Sequence, residues 1–199
     1  MPALLIYSFY AIFFALTATA VFFFTFTRGA LILRGFFGES KTNTVHVYPI
    51  YSNMRLIRLI DFQPIISAIL LFQYDRLVAM ITGDLLHMNI SGKDVLITSC
   101  AFGNVIPKIV AACERANVHK ILIVDIIKNE LEHAKRKLAR TDNKVDYLEQ
   151  NATSVSLADG SIAANVIFFL LHELPHHLKG EALREAVRVL APGGKLFFG

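Results

Sequence analysis

From Lys93 to the end of the chain, short apolar, β-branched runs alternate with stretches of helical spacing. DVLITSC (94–100), KILIVDI (120–126), VDYLEQNA (145–152), AANVIFFLL (163–171) and KLFFG (195–199) read as strands. Between them NVIPKIVAACERANV (104–118), KNELEHAKRKLART (128–141) and GEALREAVRVL (180–190) read as helices, the last with Leu183, Val187 and Leu190 on one face. APGG (191–194) reads as a turn. Strands that alternate with helices are joined by right-handed crossovers, so the pattern predicts an α/β fold with a parallel sheet covered on both faces.

The other end of the chain is of a different kind. Hydrophobic residues make up 54% of 199 residues, and Met1 to Thr27 contain no charged side chain. At 1.5 Å per residue that run is long enough for the roughly 30 Å of a bilayer core. Nothing basic precedes it, and Ala18-Thr19-Ala20 lies inside it with more Phe following, unlike a cleaved signal peptide. Residues 1–36 are therefore expected to be a single-pass transmembrane anchor. Between Arg28 and Ile60, Arg28, Arg34, Lys41, Arg55 and Arg58 face one acid, Glu39. This places the rest of the chain on the cytoplasmic or mitochondrial-matrix side and suits contact with anionic membrane lipid. Residues 37–90 form the next region, a polar linker, GESKTNTVHVYP (38–49), followed by mostly helical sequence. Pro64 suits the first turn of one helix over 64–86, whose first half is apolar on nearly every side. Residues 91–199 form the α/β domain. The net charge of +4 comes without interleaved basic and aromatic residues, so no nucleic-acid partner is expected. Cys100 and Cys113 make neither a metal pair nor a disulfide framework.

LLHELPHH (170–177) spells H-E-x-x-H through His172, Glu173 and His176. On a helix this spacing holds zinc with a glutamate base. Here His172 and Glu173 follow directly on an apolar strand, and Pro175 opposes a helix through to His176. No metal is expected. Strand ends are where open α/β sheets bind ligands. His172 and Glu173 are for that reason candidate catalytic groups. Asp125, at the end of the second strand, is a candidate for a ribose diol, 22 residues beyond Gly103. The first turn, TSCAFGNV, holds a single glycine, Gly103, with Ser99 and Ala101 also small. A dinucleotide pyrophosphate wants G-x-G-x-x-G. Small residues suffice for S-adenosylmethionine, which has no phosphate.

The stretch VLITSCAFGNVIPKI … ILIVDI … VDYLEQNAT … LADGSIAANVIFFLLHELP … LREAVRVLAPGGKLFF resembles the class I S-adenosylmethionine-dependent methyltransferases, a Rossmann-like fold, from about residue 93 to the end. The resemblance implies that Ser99, Cys100, Ala101, Gly103, Asn104, Asp125, Ile126, Asn151 and Ala152 bind S-adenosylmethionine. The chain departs from the usual pattern at Ile97, which stands where that family has an acid, and at Asn151 and Ala163, which stand where it has Asp. Those departures, with CAFGN (100–104), FFLLHE before Pro175 and the apolar helix around FQPIISAILLFQYDRL (62–77), are similar to the rhodoquinone-biosynthesis proteins. That likeness implies a ubiquinone-like quinone substrate whose ring methoxy group is replaced by an amino group, with S-adenosylmethionine as the amino donor. His172 would move protons and Glu173 would orient it or hold the donor's ammonium. The resemblance also implies a sheet that lacks the last strands of the fold, because the chain ends at Gly199 inside the fifth. A quinone C- or O-methyltransferase and a truncated, non-catalytic binding paralogue are the alternatives.

Overall fold

A computed structural model describes residues 2–25, 51, 53–70, 73–139 and 144–199. The linker expected at 38–49 and the second part of the anchor, from residue 26, lie outside them. Four helices come first: α1 (Pro2–Thr25), α2 (Met54–Ile60), α3 (Gln63–Ile69) and α4 (Gln73–His87). Then β1 (Asp94–Thr98), α5 (Val105–Arg115), β2 (Ile121–Asp125), α6 (Lys128–Lys137), β3 (Val145–Glu149), β4 (Ile162–Ile167), α7 (Leu170–Glu173), α8 (His176–Arg188) and β5 (Leu190–Phe198) follow in turn. The five strands form one sheet in the order β3-β2-β1-β4-β5, every pairing parallel. The expected α/β architecture is therefore present.

Strand side chains divide between two faces because successive residues point to opposite sides. Val95, Ile97, Ile121, Ile123, Ala164 and Val166 pack with Tyr74, Val78, Ile81 and Leu85 of α4 and Ile106, Ile109 and Val110 of α5. Ile97, where an acid was expected from the family pattern, is 1% exposed in this core. Leu96, Leu122, Val124, Val155, Ile162 and Val189 form the smaller core on the other face. The link between β3 and β4 is pinned from α8. Glu185 accepts the Val155 N–H (2.7 Å), and Arg188 donates to the carbonyls of Leu157 (2.9 Å) and Val155 (3.1 Å).

Several elements differ from expectation. The single helix over 64–86 is two, α3 and α4, with Leu70 in a turn between them. The fourth strand ends at Ile167 rather than Leu171, because Phe169 takes a left-handed conformation (φ 61°) and the chain turns into α7. The last helix starts at His176, directly after Pro175, and buries Ala182 and Ala186 rather than the expected Leu183 and Val187 stripe; Val187 is 58% exposed. Small alanines let a helix backbone approach a sheet closely. The expected APGG turn is taken up within β5, as an irregularity where the pairing moves from Ile162↔Leu190 to Ala164↔Lys195.

α1 is uncharged, and its described side chains, Ile6 to Phe22, are exposed. Thr17 and Thr19 donate their hydroxyls to the carbonyls of Phe13 (2.9 Å) and Ala15 (2.8 Å), which satisfies them within the helix. Among the described residues no helix is long and apolar enough to cross a membrane, so the structure gives the expected span no support.

Candidate cofactor and active site

The order of the sheet reverses between β1 and β4, and the crevice beyond their carboxyl ends is where such a sheet takes a ligand. The turn leaving β1 contains two residues in left-handed conformation, Ser99 and Gly103, both at φ 82°. Serine there carries roughly 1–2 kcal/mol of backbone strain that glycine would not. Asp125 ends β2 beside it. Its Oδ2 accepts the Cys100 N–H (2.7 Å) and its Oδ1 the Ile127 N–H (2.8 Å), so one carboxyl ties the two turns together. Burial pushes the Asp125 carboxyl up, and these amides oppose the shift without cancelling it.

The N-terminal segment completes this turn. Asp61, just after α2, accepts the Gly103 N–H, the Lys137 ammonium (2.8 Å) and a hydrogen bond from His133 Nε2 (2.5 Å). Gln63 Oε1 accepts the Asn104 N–H (2.9 Å). The Tyr74 hydroxyl accepts the Val105 N–H (2.9 Å) and donates to the Phe102 carbonyl (2.8 Å). Lys137 also donates to the Gly103 carbonyl. A Cβ on Gly103 would lie 2.5 Å from the Tyr74 oxygen and 2.7 Å from Gln63 Oε1, so here the bare backbone admits the chain's own side chains. Tyr51 stacks on Phe102 (5.9 Å between centroids) and donates its hydroxyl to Glu173 Oε1 (2.9 Å), bridging the first turn and α7.

Acids collect under that bridge. Glu130, in the first turn of α6, is 2% exposed, and its Oε1 is buried without a hydrogen-bond partner among the described residues. Burial, then the charges of Asp125 and Asp61, push its carboxyl up to about 9. Burial likewise raises Glu173 to about 7, against the Tyr51 hydrogen bond. Next to it His172 is exposed, with its ring edge-on to Phe169 (5.8 Å). Partial burial, then Lys179, hold the His172 pKa below its ordinary value.

Of the residues expected from the sequence, Ser99, Cys100, Asp125 and Glu173 come together: Cys100 and Asp125 hydrogen bond, and Ser99 and Glu173 act on the Asp125 carboxyl or are acted on by it. Gly103 and Asn104 are engaged through their amides by Asp61 and Gln63. Ala101 is half-buried against the main core. Ile126 is 41% exposed. Asn151 uses its side-chain oxygen on the Thr153 N–H (3.0 Å) in the tight turn that also holds Ala152, and the Gln150 N–H ties this turn to the Asp125 carbonyl (3.0 Å). His172 and Glu173 sit on the one-turn helix α7, not on a strand end as expected, while His176 begins α8 beyond Pro175. Among the described residues no group of three or more His, Cys, Asp or Glu could hold a metal ion. Sequence reasoning missed Tyr51, Asp61, Tyr74, Glu130, His133 and Lys137.

The description "Methyltransferase domain" belongs to the family model that matches residues 95–194, half of the chain. No curated protein matches. Among solved structures, an S-adenosylmethionine-dependent methyltransferase of Aquifex aeolicus is 19% identical, with a TM-score of 0.54 over 73% of this chain and 71% of its own. A protein of Methanococcus maripaludis, named for the same activity, is 15% identical, with a TM-score of 0.57 over 81% of this chain and 67% of its own. The YcgJ protein of Bacillus subtilis is 17% identical, with a TM-score of 0.52 over 62% of this chain; this chain spans half, 50%, of its length. At such identities these likenesses concern the fold. The residues present also fit the family's cofactor. A buried carboxyl ends β2 for a diol, the turn beside it is tight, and Glu130 leaves a buried carboxyl oxygen without a partner among the described residues, which a cationic ligand would suit. With half its length matched and the crevice suited to that ligand, the chain belongs to the class I S-adenosylmethionine-dependent methyltransferase superfamily, and S-adenosylmethionine is its cofactor.

Proposed function

We propose that the protein is a membrane-associated transferase that uses S-adenosylmethionine on a ubiquinone-like quinone and replaces a ring methoxy group with an amino group. The observation that carries this reading is the pair that follows β4. Glu173, raised to about 7 by burial, and His172, lowered by partial burial and Lys179, sit side by side at the crevice. Near neutral pH His172 is largely an uncharged imidazole able to accept a proton, while Glu173 retains one to give. Substitution at the ring needs both: an amine nitrogen loses protons as its bond to the ring carbon forms, and the departing methoxide leaves as methanol by gaining one. The cofactor would supply the nitrogen, whose bond to the cofactor's α-carbon must also break: the quinone ring would take the two electrons of the α-C–H bond and water would hydrolyse the carbon side to a 2-oxo acid, leaving the ring amine on the hydroquinone. Tyr51 holds Glu173 in place through its hydroxyl (2.9 Å). Cofactor labelled with nitrogen-15 on the amine and carbon-13 on the methyl, supplied to the chain with quinone, tests the reading by product mass. Nitrogen label alone is expected; carbon label alone overturns it.

Methyl transfer to a quinone is the second reading, favoured by the family match over residues 95–194. Cofactor that binds without labelling any quinone would make the chain a non-catalytic binding protein. The association with lipid rests on α1, uncharged over Pro2–Thr25 with exposed Phe, Ile, Leu and Tyr side chains. The chain is expected to sediment with membranes and to be released when residues 1–36 are deleted; a chain of residues 1–199 that stays in the supernatant without detergent refutes it.

A further inference from the structure

We infer that Glu130 is a ligand-binding carboxylate that pairs with the positively charged methionine end of S-adenosylmethionine and gives up a proton when that ligand binds. The inference rests on the cofactor and holds whatever the acceptor is. Glu130 stands in the first turn of α6, five residues beyond Asp125, which ends β2 at the crevice. It is 2% exposed, and its Oε1 is buried without a partner among the described residues. A glutamate that merely filled the core would cost the desolvation of that oxygen with no return, where a methionine or leucine would cost nothing.

The groups around it explain why the partner must come from outside. Asp125 acts on it from β2, Glu173 from α7 and Asp61 from the segment after α2, all of them acids. Tyr51 and Cys100, from the N-terminal segment and the first turn, both feel its charge and are themselves held protonated, chiefly by burial. On its own helix His133 is bonded to Asp61. Lys137, the cation that opposes these acids at Glu130, is already shared between Asp61 and the Gly103 carbonyl. The crevice thus holds more carboxyl groups than its own cations satisfy, at the position where a ligand bearing a sulfonium and an ammonium would lie against Asp125.

The sign of the linkage follows. A cation favours the ionised carboxylate, so the bound pKa lies below the free one, and binding below the free value expels a proton. Through Glu130, affinity therefore rises with pH toward neutrality and beyond, until the ligand's own ammonium loses its proton at about pH 8 and leaves the sulfonium as the remaining charge. Glu173, raised only to about 7, contributes its slope at lower pH.

Titration calorimetry on the full chain in detergent tests this, in buffers of different ionisation enthalpy. The probes are S-adenosylmethionine and 5′-methylthioadenosine, which keeps the adenosine and the sulfur but carries neither charge. S-adenosylmethionine is expected to release most of a proton at about pH 7 and to bind up to about tenfold more tightly at about pH 7.5 than one pH unit lower, the limit for one group. 5′-Methylthioadenosine is expected to release none. Glu130→Gln is expected to abolish the release and weaken S-adenosylmethionine about tenfold at about pH 8.5. Its affinity for 5′-methylthioadenosine should stay within about twofold of the parent, which also reports that the variant is folded. Three results each overturn the inference: S-adenosylmethionine binding with no proton released, equal release on binding 5′-methylthioadenosine, or a Glu130→Gln profile that matches the parent. Failure of S-adenosylmethionine to bind at any pH overturns it as well. A quinone product labelled with carbon-13 instead of nitrogen-15 would overturn the amino-transfer reading and leave this one standing.

Discussion

Asp61→Asn removes a charge and keeps a shape, which makes it a sharp test of how the first turn is held. The Asp61 side chain is 5% exposed and that of its partner Lys137 is 17% exposed. The carboxylate accepts from the Gly103 amide, from His133 at 2.5 Å and from Lys137 at 2.8 Å. Breaking a buried ion pair from one side costs about 3–5 kcal/mol, because the other charge stays behind. The asparagine oxygen keeps one hydrogen bond worth about 1 kcal/mol, so the expected loss is about 2–4 kcal/mol. Urea unfolding of the full chain measures it. Lys137→Met on the Asp61→Asn background should recover part of the loss, with a coupling of at least about 1 kcal/mol. pH adds an independent check. Burial works to raise the Asp61 carboxyl, but the His133 hydrogen bond and Lys137 outweigh it and hold the pKa below the ordinary value. A depressed carboxylate stabilises the fold above the unfolded pKa of about 3.9 and loses that contribution as pH falls through the folded value. The parent should therefore weaken in acid by this route and the variant should not. A loss below about 0.5 kcal/mol, the scatter of surface substitutions, or strict additivity with Lys137→Met, refutes the reasoning.

Ser99→Gly should raise stability by about 1 kcal/mol in the same unfolding assay, because glycine takes φ 82° without strain; an unchanged midpoint would mean that the serine hydroxyl repays the strain. Asp125→Ala should weaken S-adenosylmethionine binding by about 1.5–3 kcal/mol in a titration, and unchanged affinity in a folded variant removes Asp125 from the site. The ligand-free chain should lose stability as pH rises from about 5 to about 9, since Glu130 and Glu173 carry raised pKa values in the fold and so bind protons that the unfolded chain has already lost. Glu130→Gln should flatten that decline in thermal scans, and a decline as steep as the parent's contradicts the burial of the carboxyl.

The centre of the sheet was legible because β1, β2 and β4 are buried on both sides, and ILIVD or DVLIT has no competing reading beside amphipathic helices. Asp125 was legible for the same reason: an acid directly after a buried apolar run stands at a strand end. The residues that complete the site were not. Asp61, Gln63 and Tyr74 lie 42, 41 and 31 positions from the amides they serve, at Gly103, Asn104 and Val105. No local periodicity carries a contact of that separation. Glu130 stands in the first turn of a charged helix, where the helix dipole alone would account for an acid and nothing in the sequence marks it as buried. The last helix was legible from the apolar spacing of Leu183, Val187 and Leu190, but the face it buries was not: Ala182 and Ala186 are buried and Val187 is exposed.

The Tyr74–Gly103 contact also bears on where this domain begins as an independent object. The family match opens at residue 95, but Tyr74, Val78, Ile81 and Leu85 are buried in the same core as β1 and α5. A fragment cut at the start of the match would show water the apolar flank of α5 and leave the amides of Gly103, Asn104 and Val105 without the acceptors that Asp61, Gln63 and Tyr74 provide. During synthesis those acceptors leave the ribosome before the turn they finish, so α4 waits as an unpartnered amphipathic helix until the first strand arrives. The smallest piece that folds by itself should therefore reach back through α2, and expression of residues 91–199 alone should yield aggregate.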